Sequence, residues 1–302
     1  MTDGKRQKTF FSSLCRMFNK LQQKWNVTPI QLFLILCTFA VTGTSTAIVS
    51  REITQWVGFD EQTYWVWRLL LRLSVLIFGY QVILLLVSVV FGQFPFFWNY
   101  EKKILRRMGL MSYPEVRLAL FASGKGSNAE KIIQYFDNHK FIKVTLIACN
   151  RPDAGVLDIA DRYSIPKLIL QREPFLRSDQ YVQSIKNQRI THIVLAGFLW
   201  KIPDNLIKAF PNRMVNIHPA LLPSHGGKGM YGEHVHKAVL AAGDPESGIT
   251  IHLVDGEYDH GKTIFQARTA VDSTDTPESL AQKIHQLEHL HYPKVIEKWA
   301  SK

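Results

Sequence analysis

The chain has 302 residues, 46% of them hydrophobic and 20% charged, with a formal net charge of +11. That length allows one large or two ordinary domains, and the apolar content is enough to build a core. The basic excess is local: residues 1–112 hold 13 Lys/Arg against 5 Asp/Glu, and the remainder 23 against 20. It therefore says nothing about the partner of the C-terminal part. No cluster of Lys and Arg beside aromatics marks that part as a nucleic-acid binder. Cys15, Cys37 and Cys149 have neither paired nor metal-ligand spacing, so no disulfide framework is implied.

In chain order, the first predicted elements are two apolar helices. Ile30–Val49 and Leu73–Gly92 are each twenty residues without a charge. A helix of that length crosses a hydrocarbon core of about 30 Å. Lys5, Arg6, Lys8, Arg16, Lys20 and Lys24 precede the first, and Lys102, Lys103, Arg106 and Arg107 follow the second. The loop between them sets Arg51 and Arg68 against Glu52, Asp60 and Glu61. Positive charge stays on the cytoplasmic side, so a transmembrane hairpin with both termini cytoplasmic is expected. Trp56, Trp65, Trp67, Phe94, Phe96, Phe97 and Trp98 fall where interfacial aromatics belong. Within the spans Gln81 is the strongly polar residue of the second and there is no acidic side chain, so no transport chemistry is indicated.

From residue 113 the pattern becomes that of an α/β domain, giving two parts, 1–112 and 113–302. Strands are predicted at Val116–Ser123, Val144–Asn150, Lys167–Leu170, His192–Ala196 and Met214–Ile217. Helices alternate with them at Ala129–Asp137 and around 155–163, 178–188 and 203–210. Such alternation implies βαβ units and a mainly parallel sheet. Ile249–Val254 and Thr263–Val271 lie close enough to form an antiparallel extension. A last helix runs from the capping Thr276 to Trp299, with Pro277 in its first turn and Pro293 expected to kink or interrupt it.

Three polar constellations fall in loops at the carboxyl ends of these strands, where such sheets bind ligands. The first is Gly124, Lys125, Gly126, Ser127 and Asn128, a glycine turn leading into a helix N-terminus, suited to a phosphate. The second strand ends in Asn150-Arg151 rather than an acid, which argues against the ribose of a dinucleotide. The second constellation is Asn216-Ile-His218-Pro219. Two residues apart on a strand, Asn216 and His218 face the same side and can both donate to one oxygen. The third is His252 through Gly261, whose carboxylates would raise the pKa of His218 if one lay beside it. His234, His236 and His260 lack metal-site spacing, so no metal is expected.

Together these motifs, with Leu195-Ala-Gly-Phe198, Leu221-Leu-Pro223, Asp259-x-Gly261 and Leu287-Glu-His289, resemble the glycinamide ribonucleotide formyltransferase family from about Val116 to Trp299. The resemblance implies a Rossmann-like α/β fold after the hairpin. It also implies transfer of a formyl group from 10-formyltetrahydrofolate, a cosubstrate, to the amine of glycinamide ribonucleotide in purine synthesis. Asn216, His218 and Asp259 then correspond to the catalytic set, Gly124 to Asn128 to the phosphate loop, and Glu288 to a substrate contact. The folate pocket would be formed by Leu199, Trp200, Lys201 and Ile202, by Asn216, and by Val254, Asp255, Gly256, Glu257, Tyr258 and Asp259. Where the family often has Arg, this chain has Trp200 followed by Lys201, and its Ser224–Glu233 segment is longer than in compact members. A formyltetrahydrofolate hydrolase, a methionyl-tRNA formyltransferase and a non-catalytic membrane-tethered module are the alternatives. For the tRNA enzyme an additional C-terminal domain would be expected beyond Lys302. For residues 1–112 no family is recognised from the residues alone, and their role stays open.

Overall fold

The computed structural model describes residues 16–58 and 64–301, in two units, Met1–Tyr113 and Pro114–Lys302. Lys5, Arg6, Lys8, Cys15, Asp60 and Glu61 lie outside the described residues.

In the first unit, α1 (Pro29–Trp56) is started by a capping box in which Thr28 and Gln31 each satisfy the other's backbone N–H. The second long helix runs over Trp65–Val90. It consists of α2 (Trp65–Ser74), a π-helical turn (Val75–Gly79) and α3 (Tyr80–Val90). These helices have 28 and 26 residues, long and apolar enough to cross a membrane, with only 28% and 11% of their most apolar windows buried. They begin and end beyond the uncharged twenties, because flanking Trp and polar residues continue the helical hydrogen bonding. Thr38, Thr42, Thr46, Ser50 and Thr54, four apart, form a buried stripe on α1. Thr38, Thr46 and Thr54 donate back to the carbonyl four residues earlier, at 2.6–2.8 Å, whereas the buried Thr42 Oγ1 makes no hydrogen bond. An unexpected helix, α4 (Phe94–Arg107), follows, and its Phe97 packs with Ile35 and Leu84.

The second unit is built on a seven-stranded sheet. Its strands are β1 (Val116–Ala122), β2 (Ile142–Cys149), β3 (Lys167–Ile169), β4 (His192–Leu195), β5 (Met214–His218), β6 (Glu246–Leu253) and β7 (Thr263–Ala270). The spatial order is β3-β2-β1-β4-β5-β6-β7. The first five pair in parallel, and β6 and β7 join antiparallel. Both faces are covered, as a parallel sheet requires. On one face Leu118 and Leu120 pack with α5 (Ser127–Phe136), α6 (Val156–Arg162) and the last helix, α11 (Pro277–Ala300). On the other, Ala119 and Phe121 pack with α7 (Arg172–Arg177), α8 (Gln180–Asn187) and α9 (Asp204–Ala209). One further helix, α10 (Glu233–Ala242), precedes β6.

Two expectations change. The helix after the glycine turn starts at Ser127 rather than Ala129, which puts Ser127 and Asn128 in its first turn. Pro293 does not interrupt α11, which continues to Ala300. Tyr292 and Pro293 are buried, and the Tyr292 hydroxyl donates to Leu195 O at 2.8 Å. That packing holds the helix on through the loss of one backbone hydrogen bond. The order reverses between β1 and β4, and there the carboxyl ends of the strands open a crevice.

Candidate active site

A cleft of about 840 Å³ opens at this edge of the sheet. The first wall comes from the β1–α5 turn. Gly126 has φ +81°, and a Cβ there would stand 2.8 Å from the Val156 side chain, so glycine is required twice over. Ser123 is buried and its Oγ accepts from Leu199 N–H at 3.0 Å, which ties the turn to the loop after β4. From the first turn of α5, Asn128 Nδ2 donates to Glu288 Oε2 at 2.8 Å, and His285 Nδ1 lies 2.9 Å from the same oxygen. That hydrogen bond to Glu288 holds the His285 pKa above the ordinary histidine value. Glu288 itself is 5% exposed, a carboxylate reached only from the cleft side.

The second wall joins β5 to the turn after β6. Asp259 takes the left-handed backbone (φ +54°), which an Asp tolerates, and turns its carboxylate onto β5. Its Oδ2 lies 3.4 Å from His218 Nδ1 and accepts from Gly227 N–H at 3.0 Å. Its Oδ1 lies 3.4 Å from Asn216 Nδ2 and 3.6 Å from His252 Nε2. Burial alone would push the Asp259 pKa up. The His252 hydrogen bond, the charge of His218 and the Gly227 N–H outweigh it, and the net direction is down.

His218 is 3% exposed, and two effects oppose each other there. Burial pushes its pKa down, and the Asp259 carboxylate and the His225 carbonyl push it up. Burial wins in the ligand-free cleft, contrary to the expectation that a neighbouring carboxylate would raise it. The geometry nevertheless favours a charged ring: Nε2 faces His225 O at 2.8 Å while Nδ1 faces Asp259. Both are acceptors, and only the imidazolium donates to both. His225 is held in place by its own pairing with Asp244 Oδ2 at 2.6 Å.

The predicted residues therefore converge. Gly124 to Asn128, Asn216, His218, Asp259 and Glu288 line this one cleft, as do Leu199, Trp200, Lys201, Ile202, Val254, Asp255, Glu257 and Tyr258. Gly256 does not line it. Trp200 is braced from behind by Phe175 and Phe198, at ring centroid distances of 5.8 and 6.3 Å. His252 had no role assigned from sequence. It is the register partner of Asn216 across the β5–β6 pair, and only the pairing of the two strands reveals it. Thr250 was also passed over. Its hydroxyl donates to Ala220 O at 2.7 Å and accepts from Leu222 N–H at 2.9 Å, which secures the chain just past His218. Of the remaining histidines, His236 and His285 also line the cleft, His236 buried, while His260 lies against Asp255 and His234 against the Tyr231 ring.

Comparison with known proteins agrees with this architecture. Residues 116–296 match the formyl transferase family, and residues 34–112 match a family of unknown function. Phosphoribosylglycinamide formyltransferase of Bacillus subtilis is 35% identical over 185 residues, covering 60% of this chain and 92% of its own length. The chloroplastic phosphoribosylglycinamide formyltransferase of Arabidopsis thaliana is 42% identical over 186 residues, 60% of this chain. The chain spans 64% of that relative's length. Among solved structures, phosphoribosylglycinamide formyltransferase from Bacillus halodurans superposes with a TM-score of 0.56 at 35% identity, over 62% of this chain and 96% of its own. By the match over residues 116–296, the chain belongs to the formyl transferase family.

Proposed function

We propose that the unit Pro114–Lys302 is a phosphoribosylglycinamide formyltransferase, moving the formyl group of 10-formyltetrahydrofolate to the amine of glycinamide ribonucleotide in purine (IMP) synthesis. The observation that carries this reading is the meeting of Asn216, His218 and Asp259 in a cleft also lined by the Gly124–Asn128 turn. The turn and the first N–H groups of α5 receive the ribonucleotide phosphate, and Glu288 contacts the nucleotide beside Asn128. The folate enters along Leu199–Ile202 and Val254–Asp259. The amine attacks the formyl carbon, and the oxygen that gains negative charge is met by the Asn216 amide and by the His218 imidazolium, whose Nε2–H exchanges the His225 carbonyl for it. An anion forming beside the ring raises the His218 pKa, which burial had lowered, so the proton is held when it is needed. Asp259 orients that ring and relays the proton that the attacking amine releases to N10 of the folate, as the bond between the formyl carbon and N10 breaks and tetrahydrofolate leaves. No step in this scheme requires a metal. The test is to follow deformylation of 10-formyltetrahydrofolate by the full chain in detergent, with and without glycinamide ribonucleotide. Release that requires the amine supports the transferase, whereas release without it would make the protein a hydrolase.

The same reading places the first unit in a membrane as an anchor, residues 1–112, with the catalytic part, 113–302, on the cytoplasmic side. It is supported by the length and low burial of the two helices and by Lys20 and Lys24 before them and Lys102, Lys103, Arg106 and Arg107 after.

A further inference from the structure

In the first unit, α4 begins at Phe94, just after the second long helix ends at Val90, and it is docked on both long helices. Its Phe97 is buried with Ile35 of α1 and Leu84 of α3. Its Phe96 meets Trp25 edge to face, with ring centroids 5.5 Å apart. Trp25 closes the helical stretch 16–25 that leads to α1. That contact brings the chain entering the first long helix and the chain leaving the second to one end of the pair. We propose that the outer face of α4, together with Lys20 and Lys24 on the stretch packed against it, binds anionic phospholipid headgroups and makes the hairpin selective for acidic lipid. The inference rests on the membrane reading above, because it assumes that the two long helices span a bilayer.

The spacing of the cations carries the argument. Lys102, Lys103, Arg106 and Arg107 lie one and four residues apart on α4. At 3.6 residues per turn they fall within an arc of about 140°, nearly opposite Phe97. Glu101 is the single acid of α4, and one turn after Phe97 it shares the buried side, 5% exposed. It therefore leaves the arc unneutralised, and burial raises its pKa, which favours the uncharged form. Among the described residues none of these four cations, nor Lys20 or Lys24, forms an ion pair. Arg106 lies over the Tyr113 ring at 5.4 Å, and its Nε has no hydrogen-bond partner.

Two simpler roles leave part of this arrangement unexplained. The helix dipole favours Arg106 and Arg107 in the last turn of α4, but not the lysines outside it. Topology needs positive charge on one side of the membrane, but does not need it gathered on one face of a docked helix. The next residues add the second half of the chemistry, because Met108 and Leu110 are exposed. Cations beside exposed apolar side chains match the layer where lipid phosphates meet acyl chains. A soluble phosphate would offer the apolar pair nothing.

The test uses the full chain in phosphatidylcholine nanodiscs containing a small fraction of either brominated phosphatidylglycerol or brominated phosphatidylcholine. Bromine near Trp25 and Trp98 quenches their fluorescence. Wild type should be quenched about threefold more strongly by the anionic lipid, with the difference fading as salt rises. Lys103→Gln with Arg107→Gln, at exposed positions, should lose part of the preference. Adding Lys102→Gln and Arg106→Gln should bring the two lipids to parity, whereas Arg68→Gln in α2 should change nothing. Parity in wild type, a preference that survives the fourfold substitution, or an equal loss from Arg68→Gln would overturn the proposal. So would loss of the preference to inorganic phosphate or an RNA oligonucleotide at matched ionic strength. A chain that inserts yet shows parity keeps the anchor and discards the headgroup site, and a chain that fails to enter the nanodisc discards both.

Discussion

Asn216 and His252 are paired directly across β5 and β6, and Nδ2 of the amide lies 3.1 Å from Nε2 of the ring. Nδ1 of His252 faces Leu253 O at 2.8 Å. A carbonyl only accepts, so Nδ1 carries a proton; in the neutral ring Nε2 then accepts from the amide, and in the charged ring it donates toward Asp259 Oδ1, 3.6 Å away. The ring thereby fixes which edge of Asn216 faces the cleft. In the His252→Ala variant the amide is free to turn, and kcat should fall about 10–100-fold. Asn216→Ala, which removes the donor itself, should cost about 10²–10³. Steady-state kinetics check the order, and a larger loss for His252→Ala would refute the positioning role.

Asp259 faces His218 on one side and is fixed by Gly227 N–H on the other. Asp259→Asn removes a charge that holds the His218 pKa up against burial, so that pKa falls further. If the protonated ring serves transfer, activity disappears as pH rises through that pKa. The falling limb of kcat/KM against pH should then lie at lower pH in the variant, with the maximum reduced about a hundredfold or more. An unmoved limb would mean that another group sets it.

Gly126 combines a positive φ with close packing against Val156 and Ile159, whose side chains a Cβ at that position would meet at 2.8 and 2.9 Å. Gly126→Ala should destabilise the second unit by about 1–3 kcal/mol through overpacking and strain. It should also raise KM for the ribonucleotide more than KM for the folate, because in the proposed reaction the turn meets the phosphate. Denaturant unfolding and the two KM values check both halves.

His192 lies at the opposite end of the sheet, where burial, with a smaller effect from Arg213, lowers its pKa to about 4 from the ordinary 6.5. The folded chain thus refuses a proton that the unfolded chain accepts. Its contribution to stability is intact above about 6.5, is lost progressively as pH falls toward 4, and changes no further below that. His192→Gln should narrow the difference between unfolding midpoints at pH 7 and pH 5. An unchanged difference would assign the acid sensitivity elsewhere.

For the anchor, the full chain should remain with membranes through an alkaline carbonate wash. Tags at both ends should be accessible to a protease only from the cytoplasmic side. Release by the wash would refute the two spans, and protection of one end would refute the hairpin.

The sequence made the long-range plan legible where the signal is local. Two uncharged twenties announced the apolar helices, and strand–helix alternation announced the sheet with its five parallel strands and antiparallel extension. Asn216 and His218 were readable as neighbours because alternate residues of a strand share a side. Asp259 lies 43 residues beyond Asn216 and was placed by resemblance, not by spacing. His252 stayed unassigned because strand register is a tertiary property. The helices α4, α7 and α10 were missed: α4 opens on aromatics read as interfacial, α7 is only six residues long, and α10 follows a glycine-rich segment; Pro293 misled because buried packing around Tyr292 overrides a local preference.

The Tyr292 hydroxyl reaches across to the last residue of β4 and into β5, with Leu195 O at 2.8 Å and Val215 O at 3.4 Å, from the same helix that brings Glu288 to Asn128. In order of synthesis that helix comes after every strand of the sheet. A growing chain therefore displays its glycine turn, Asn216, His218 and Asp259 before it owns the helix that brings Glu288 to the cleft. Competence arrives as a late event in the birth of the molecule, and a nascent chain halted ahead of α11 would carry most of the chemistry with no finished place to perform it.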